Sequence, residues 1–278
     1  MTQNASLIST EQLARIIDRP DVRLIDASWW LDGRDAKADF QRERIGNAVF
    51  FDLDGISDHG SALPHMLPSA EQFAQAVGQL GIRETDTIVI YDHQGLFSAA
   101  RVWWMFRLMG AQHVAVLDGG FPKWKIEGRA VETSAPQSPS PATFTASPRL
   151  EAVAGIDDVR SSLGSQTQLL DARGSARFHA KVPEPRPGMR GGHMPGALNL
   201  PFDRLLNADK TMKGGPELEA AFQEVGLDLN RPVITTCGSG VTAAILTLGL
   251  HLLGKSARLY DGSWSEWGSR EDTPIETD

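Results

Sequence analysis

A chain of 278 residues is about twice the usual size of a domain, so two domains are expected, each long enough to bury its own core. With 41% hydrophobic and 22% charged residues, the composition excludes fibre and extended disorder, and the net charge of −8 speaks against nucleic acid and anionic membrane as partners. A single cysteine, Cys237, excludes an internal disulfide and any Cys-x-x-Cys metal or redox pair.

The N-terminal stretch MTQNASLIST has neither a basic start nor an apolar core. The longest apolar run, VTAAILTLGLHLLG (241–254), falls short of the ~20 residues of a spanning helix, so a cytoplasmic location is expected. In chain order, VRLIDA (22–27), AVFFD (48–52), IVIYD (88–92) and VAVLDGG (114–120) read as short buried strands, with the amphipathic SAEQFAQAVGQLG (69–81) as a helix among them. The stretch VETSAPQSPSPATFTASPRL (131–150) holds four prolines among serines and threonines and predicts an extended linker. Beyond it the pattern returns: QLLDA (168–172), VITTC (233–237) and ARLYDG (257–262) as strands, with PELEAAFQEVG (216–226) as a helix. Strands alternating with helices predict an α/β fold, a parallel sheet with helices on both faces, once in residues 1–130 and again in 151–278.

The halves repeat each other. Asp26 and Asp171 lie 145 residues apart, as do Asp92 and Cys237; Asp118 and Asp261 are 143 apart, and Ala48 and Ala197 are 149 apart. Four short matches at nearly one offset indicate a tandem duplication. Ligands in such sheets bind beyond the carboxyl ends of strands, and Cys237 sits there, between VITT and an apolar helix. The loop CGSG can gather backbone N–H groups, and the following helix adds positive polarity, a setting that stabilises an anion at sulfur. The plain alternative, a buried structural cysteine, has no need of glycines around it. No dinucleotide fingerprint accompanies Asp118–Gly120, and no histidine has metal-ligand spacing with the cysteine, so no cofactor and no metal are expected.

Taken together, the two α/β halves, CGSGVTAA, PHMLP, GHMPGA and YDGSWSEWG closely resemble the sulfurtransferases of the rhodanese family, over nearly the whole chain. The Cys loop resembles the branch that uses 3-mercaptopyruvate. The resemblance implies two tandem rhodanese-like domains, the first without a catalytic cysteine because Asp92 stands at that position. It implies that Cys237 takes sulfur from a small-molecule donor as a persulfide, with release of pyruvate. The outer sulfur then passes to a thiol, a small redox protein or cyanide. Gly238, Gly240, Val241 and Thr242 would form the persulfide cradle. Phosphatases with a related loop carry an arginine six residues after the cysteine; here that residue is Ala243, which removes the phosphate clamp. Thiosulfate-using members usually carry basic residues directly after the cysteine, whereas Gly238 and Ser239 are neutral.

The segment 171–193 carries Arg173, Arg177, Lys181, Arg186 and Arg190 against Asp171 and Glu184, a positive island in an acidic chain. The resemblance maps the two arginines that hold the donor's carboxylate and keto oxygen onto Arg177 and Arg186, while Arg173 is expected to pair with Asp171 or to cap local structure instead. It also maps Asp54 and His65, in FFDLDGISDHGSALPHMLP, onto a relay with Ser239. Whether that set moves protons or His65 merely holds structure stays open, as does the choice for Phe97 between lining a pocket mouth and ordinary packing. A thiosulfate:cyanide sulfurtransferase and a noncatalytic sulfur-relay or docking module remain the alternatives.

Overall fold

The apolar runs become strands, and the computed structural model, which describes residues 6–277, gathers them into two five-stranded sheets whose paired strands are all parallel. The chain divides into two units. One holds the chain up to Asp58 together with Leu67–Arg149 and Ala208–Met212; the other holds His59–Met66, Leu150–Asn207 and the chain from Lys213 onward.

In the first unit, β1 (Leu7–Ile8), β2 (Val22–Asp26), β3 (Val49–Phe50), β4 (Thr87–Tyr91) and β5 (His113–Leu117) take the order β1-β5-β4-β2-β3, which puts IVIY at the centre. Both faces are covered, as continuous apolar strands require. On one face Leu24, Val89 and Tyr91 pack with Leu13 of α1 (Thr10–Ile16), Phe40 of α2 (Ala36–Arg42) and Trp124 of α5 (Gly120–Ile126). On the other, Phe51 meets Phe73 of α3 (Ala70–Gln79) and Phe106 of α4 (Ala99–Leu108) in tilted contacts, and Phe73 and Phe106 meet edge-on. Ser69 and Gln72 close a capping box that fixes the start of α3.

The second unit repeats the plan. Strands β6 (Val153–Ala154), β7 (Gln168–Asp171), β8 (Leu198–Asn199), β9 (Val233–Thr236) and β10 (Arg258–Tyr260) take the order β6-β10-β9-β7-β8, with VITT at the centre. Val159 of α6 (Ile156–Ser162) and Trp264 and Trp267 of α10 (Ser263–Trp267) pack with Leu169, Ile234 and Tyr260. The four-residue α7 (Ser175–Phe178), α8 (Gly215–Glu224) and the apolar α9 (Ala243–Leu252) complete it. At Gly249 of α9 an added Cβ would meet Phe222 of α8 at 3.2 Å, so the glycine sets how closely those helices approach.

The Pro-rich stretch forms no regular element from 135 to 149, but it is more than a tether. Phe144 is buried against Phe73 and Phe106, and the N–H groups of Ala142 and Ser147 bond to Gly78 and Met109 carbonyls at 2.8 and 2.9 Å. One aromatic anchor and spare N–H groups between the prolines make it a strap on the first unit. The sequence also shows no sign that residues 208–212 belong to that unit, where the Met212 N–H donates to Asp118 at 2.7 Å and Lys123 pairs with Asp209 at 3.0 Å.

The turn into α5 depends on Gly120. Its φ is +56°, and a Cβ there would lie 2.5 Å from the Gly95 carbonyl oxygen and 2.7 Å from that of Asp92. Gly120→Ala is therefore expected to destabilise the first unit by roughly 1–3 kcal/mol, read as a lower urea midpoint at unchanged m-value. An unchanged midpoint would show that the turn relaxes freely.

Candidate active site

Cys237 follows the central strand β9 directly and is buried, 2% exposed. Its loop is held from α10: the Cys237 carbonyl accepts the Trp264 N–H at 3.0 Å, and the Gly238 carbonyl accepts both the Ser265 N–H at 2.8 Å and the Ser265 hydroxyl at 2.7 Å. With both carbonyls bonded to α10, the loop's donors are left over. Among the described residues no acceptor meets the N–H groups of Gly238, Ser239, Gly240 or Val241. Gly240 takes φ +76°, and Thr242 is the N-cap residue of α9. Four such neighbouring N–H groups at a helix start, next to Cys237, are the pattern from which anion-binding nests are built.

The first unit shows what such a loop does otherwise. Asp92 follows β4 in the same way, and its buried carboxylate accepts N–H bonds from Gln94 at 2.8 Å, Phe97 at 2.7 Å and Ala99 at 2.9 Å. Burial pushes this carboxyl up, against the three N–H bonds that favour its anion. Phe97 itself stacks on Trp29, 6.4 Å between centroids.

His65, buried and at φ +59°, brings Nδ1 to 2.9 Å from the Ser239 hydroxyl; both residues belong to the second unit. Asp54 belongs to the first unit, where it is exposed and accepts the Trp29 indole N–H at 3.1 Å.

The positive island is divided by its partners. Arg173 is fully buried, bonded to both oxygens of Asp171 and to the Gly192 carbonyl, with its guanidinium 4.3 Å from the Trp264 ring centroid. It is a structural cation, as its place after β7 implied. Arg190 bonds to the carbonyls of Trp267, Gly268 and Arg270 and to the Thr273 hydroxyl, so it anchors the C-terminal stretch. Arg177, on α7, pairs with Glu184 and lies against the loop: its Nη2 is 3.0 Å from where a Cβ on Gly238 would stand. Arg186 is half-buried in the loop between α7 and β8. No cluster of histidine, cysteine and carboxylates suited to a metal occurs among the described residues, and none of their helices is long and apolar enough to cross a membrane.

Sequence reasoning missed Ser263. It carries φ +49°, the conformation its counterpart Gly120 adopts at +56°, yet it is a serine. Its hydroxyl accepts the Cys237 N–H at 3.3 Å and donates to the Tyr260 carbonyl at 2.8 Å. A left-handed non-glycine costs of order 1–2 kcal/mol, which the half with the cysteine retains at this position and the other half avoids. The signal was present in the repeat itself, as a Gly-to-Ser difference at matching positions.

Comparison with known proteins gives the chain its family. Residues 9–127 and 156–270 each match the Rhodanese-like domain. The chain is 42% identical over 274 residues to the 3-mercaptopyruvate sulfurtransferase of Escherichia coli K12, covering 97% of both chains. It is 41% identical over 295 residues to thiosulfate/3-mercaptopyruvate sulfurtransferase 1, mitochondrial, of Arabidopsis thaliana, covering 98% of this chain and 78% of that one. The crystal structure of SseA from Escherichia coli superposes with a TM-score of 0.86 at 39% identity, covering 94% of this chain and 99% of that one. Two rhodanese-like domains, one of them with a cysteine at the end of its central strand, define the class of protein. The chain belongs to the rhodanese family, among the 3-mercaptopyruvate sulfurtransferases, and is an enzyme of sulfur transfer.

Ser263→Gly removes the strain and the acceptor of the Cys237 N–H together. Folding stability is expected to stay within about 1 kcal/mol, since relief of strain offsets the entropy of glycine. Sulfur-transfer turnover is expected to fall about five- to tenfold, the worth of one hydrogen bond. Wild-type steady-state rates in Ser263→Gly would remove Ser263 from the site.

Proposed function

We propose that the protein transfers sulfur from 3-mercaptopyruvate to a thiophilic acceptor through a persulfide on Cys237. The observation that carries this is the loop itself: a thiol beside four N–H groups that meet no acceptor among the described residues, with neutral Gly238 and Ser239 next to it and one guanidinium against it. In the first half-reaction the Cys237 sulfur, as thiolate, attacks the donor sulfur. The carbon–sulfur bond breaks and its electron pair passes to the enolate of pyruvate, whose methylene carbon takes up a proton. If that proton is the donor's own thiol proton, Cys237 is left with an anionic outer sulfur, which the nest of N–H groups would hold. Arg177 and Arg186 would hold the carboxylate and keto oxygen. In the second half-reaction an acceptor thiolate, of a small thiol or a small redox protein, attacks the outer sulfur, the sulfur–sulfur bond breaks and the Cys237 thiolate returns; cyanide would accept the sulfur in the same way. A reducing compartment, the cytoplasm, suits a lone thiol that must stay free.

Incubation with 3-mercaptopyruvate is expected to add one sulfur atom to the intact mass of the wild type and none to Cys237→Ser, which should also lack turnover. Undiminished turnover in Cys237→Ser would end the reading. Thiosulfate is the competing donor, and the neutral pair after the cysteine argues against it; steady-state rates with both donors decide.

His65 and Ser239 are the pair best placed to move the donor's proton, since Nδ1 and the hydroxyl are 2.9 Å apart beside the nucleophile. For Asp54 as a third member the support is the resemblance alone. Ser239→Ala and His65→Ala are each expected to lower kcat with mercaptopyruvate by roughly ten- to a thousandfold, and the double variant to fall little further. Thiosulfate brings no thiol proton, so its turnover should change far less. Equal losses with both donors would reduce the pair to a structural contact.

A further inference from the structure

Glu184 is the one acidic residue that the positive island holds between two of its arginines. Its side chain is 1% exposed, as deeply buried as that of Asp171. One oxygen accepts from Arg173 Nη1 at 2.9 Å, and the other accepts from Arg177 Nη2 at 2.5 Å. Asp171, Arg173, Glu184 and Arg177 therefore form one chain of alternating charge, running from the end of β7 to the Cys loop, where Arg177 meets Gly238. Arg173 is locked: it has no exposure, both Asp171 oxygens bind it and its guanidinium faces Trp264. Glu184 thus hangs from a fixed point and in turn fixes Arg177, which is 21% exposed and has further N–H groups on its guanidinium.

Two consequences follow from elementary electrostatics. The carboxylate occupies one edge of the Arg177 fork, so the guanidinium plane is set before a donor arrives. It also cancels much of the Arg177 charge, since the two acids and two bases of the chain balance. What faces the loop is a directional hydrogen-bond donor with little net charge, which suits a singly charged α-keto acid better than a doubly charged oxyanion. We infer that Glu184 is a positioning residue that orients Arg177 and sets the charge of the donor site, biasing it toward monoanionic donors. This rests on the donor-binding role proposed for Arg177.

The test compares mercaptopyruvate with thiosulfate in Glu184→Gln and Glu184→Asp. Glu184→Gln keeps the shape and removes the charge, so the ratio of kcat/KM for thiosulfate over mercaptopyruvate should rise about tenfold. Glu184→Asp keeps the charge one methylene further away, so the ratio should stay within about twofold of wild type while KM for mercaptopyruvate rises. In an Arg177→Gly background Glu184→Gln should shift the ratio no further, because it acts through Arg177. A wild-type ratio in Glu184→Gln, the same shift in both Glu184 variants, or a full shift without Arg177 would each overturn the inference. Should Glu184→Gln fail to fold, Glu184→Asp decides alone: a preserved ratio with raised KM supports the assignment, and an unchanged KM or a ratio moved toward thiosulfate overturns it. Absence of persulfide from mercaptopyruvate in the wild type would instead sink the donor assignment itself.

Discussion

At the end of the central strand of each sheet, a tight turn into a helix concentrates backbone N–H groups that the helix cannot use, and buried donors need an acceptor. Each half answers this constraint differently. In the first, the Asp92 carboxylate fills the need with three N–H bonds, and the loop is closed as structure. In the second, Cys237 replaces that carboxylate, and the N–H groups of Gly238 to Val241 meet no acceptor among the described residues. A thiol is too short and too poor an acceptor to satisfy them, but an anion formed one atom further out would reach them. The duplication thus keeps one copy satisfied and leaves the other open to chemistry.

An open loop must be held by something other than its own hydrogen bonds. Here α10 does the holding, taking the carbonyls of Cys237 and Gly238 while Ser263 accepts the Cys237 N–H. Ser263 keeps a left-handed backbone at a position where the other half has Gly120. Strain retained at this one matching position in the half with the cysteine, and avoided there by glycine in the other, is the pattern expected where geometry serves reactivity rather than stability. His65, also left-handed and buried, sets a second such residue against the same loop, at Ser239.

Much of this was legible in the sequence because its signals are local or repetitive. Apolar runs of strand length and the near-constant offset of 145 reveal two copies of one sheet, and a glycine-flanked cysteine after a strand marks the loop. Less legible were contacts whose meaning depends on what lies opposite. The charge surplus of 171–193 read as one island, yet Arg173 and Arg190 are consumed by Asp171 and by carbonyls of the C-terminal stretch. Phe144 turns a Pro-rich linker into a strap because it finds Phe73 and Phe106, which no local pattern announces. Asp209 and Met212 join the first unit through Lys123 and Asp118, pairings made across 86 and 94 residues.

The charge chain from Asp171 to Arg177 shows why counting charges misjudges a site. By count, the segment offers an anion three surplus positive charges; by geometry, two of its arginines are shared with two buried acids. Buried pairs of this kind contribute little net stability, because desolvation offsets attraction, but they fix direction. Arg177 against Gly238 therefore offers the placement of its N–H groups more than a field. Glycine at 238 leaves the space in which that guanidinium rests, and a basic side chain there would both displace Arg177 and add the charge that Glu184 cancels. The neutral loop and the neutralised arginine thus lie side by side, and a donor bound there as proposed would be recognised by shape and hydrogen bonds rather than by total charge.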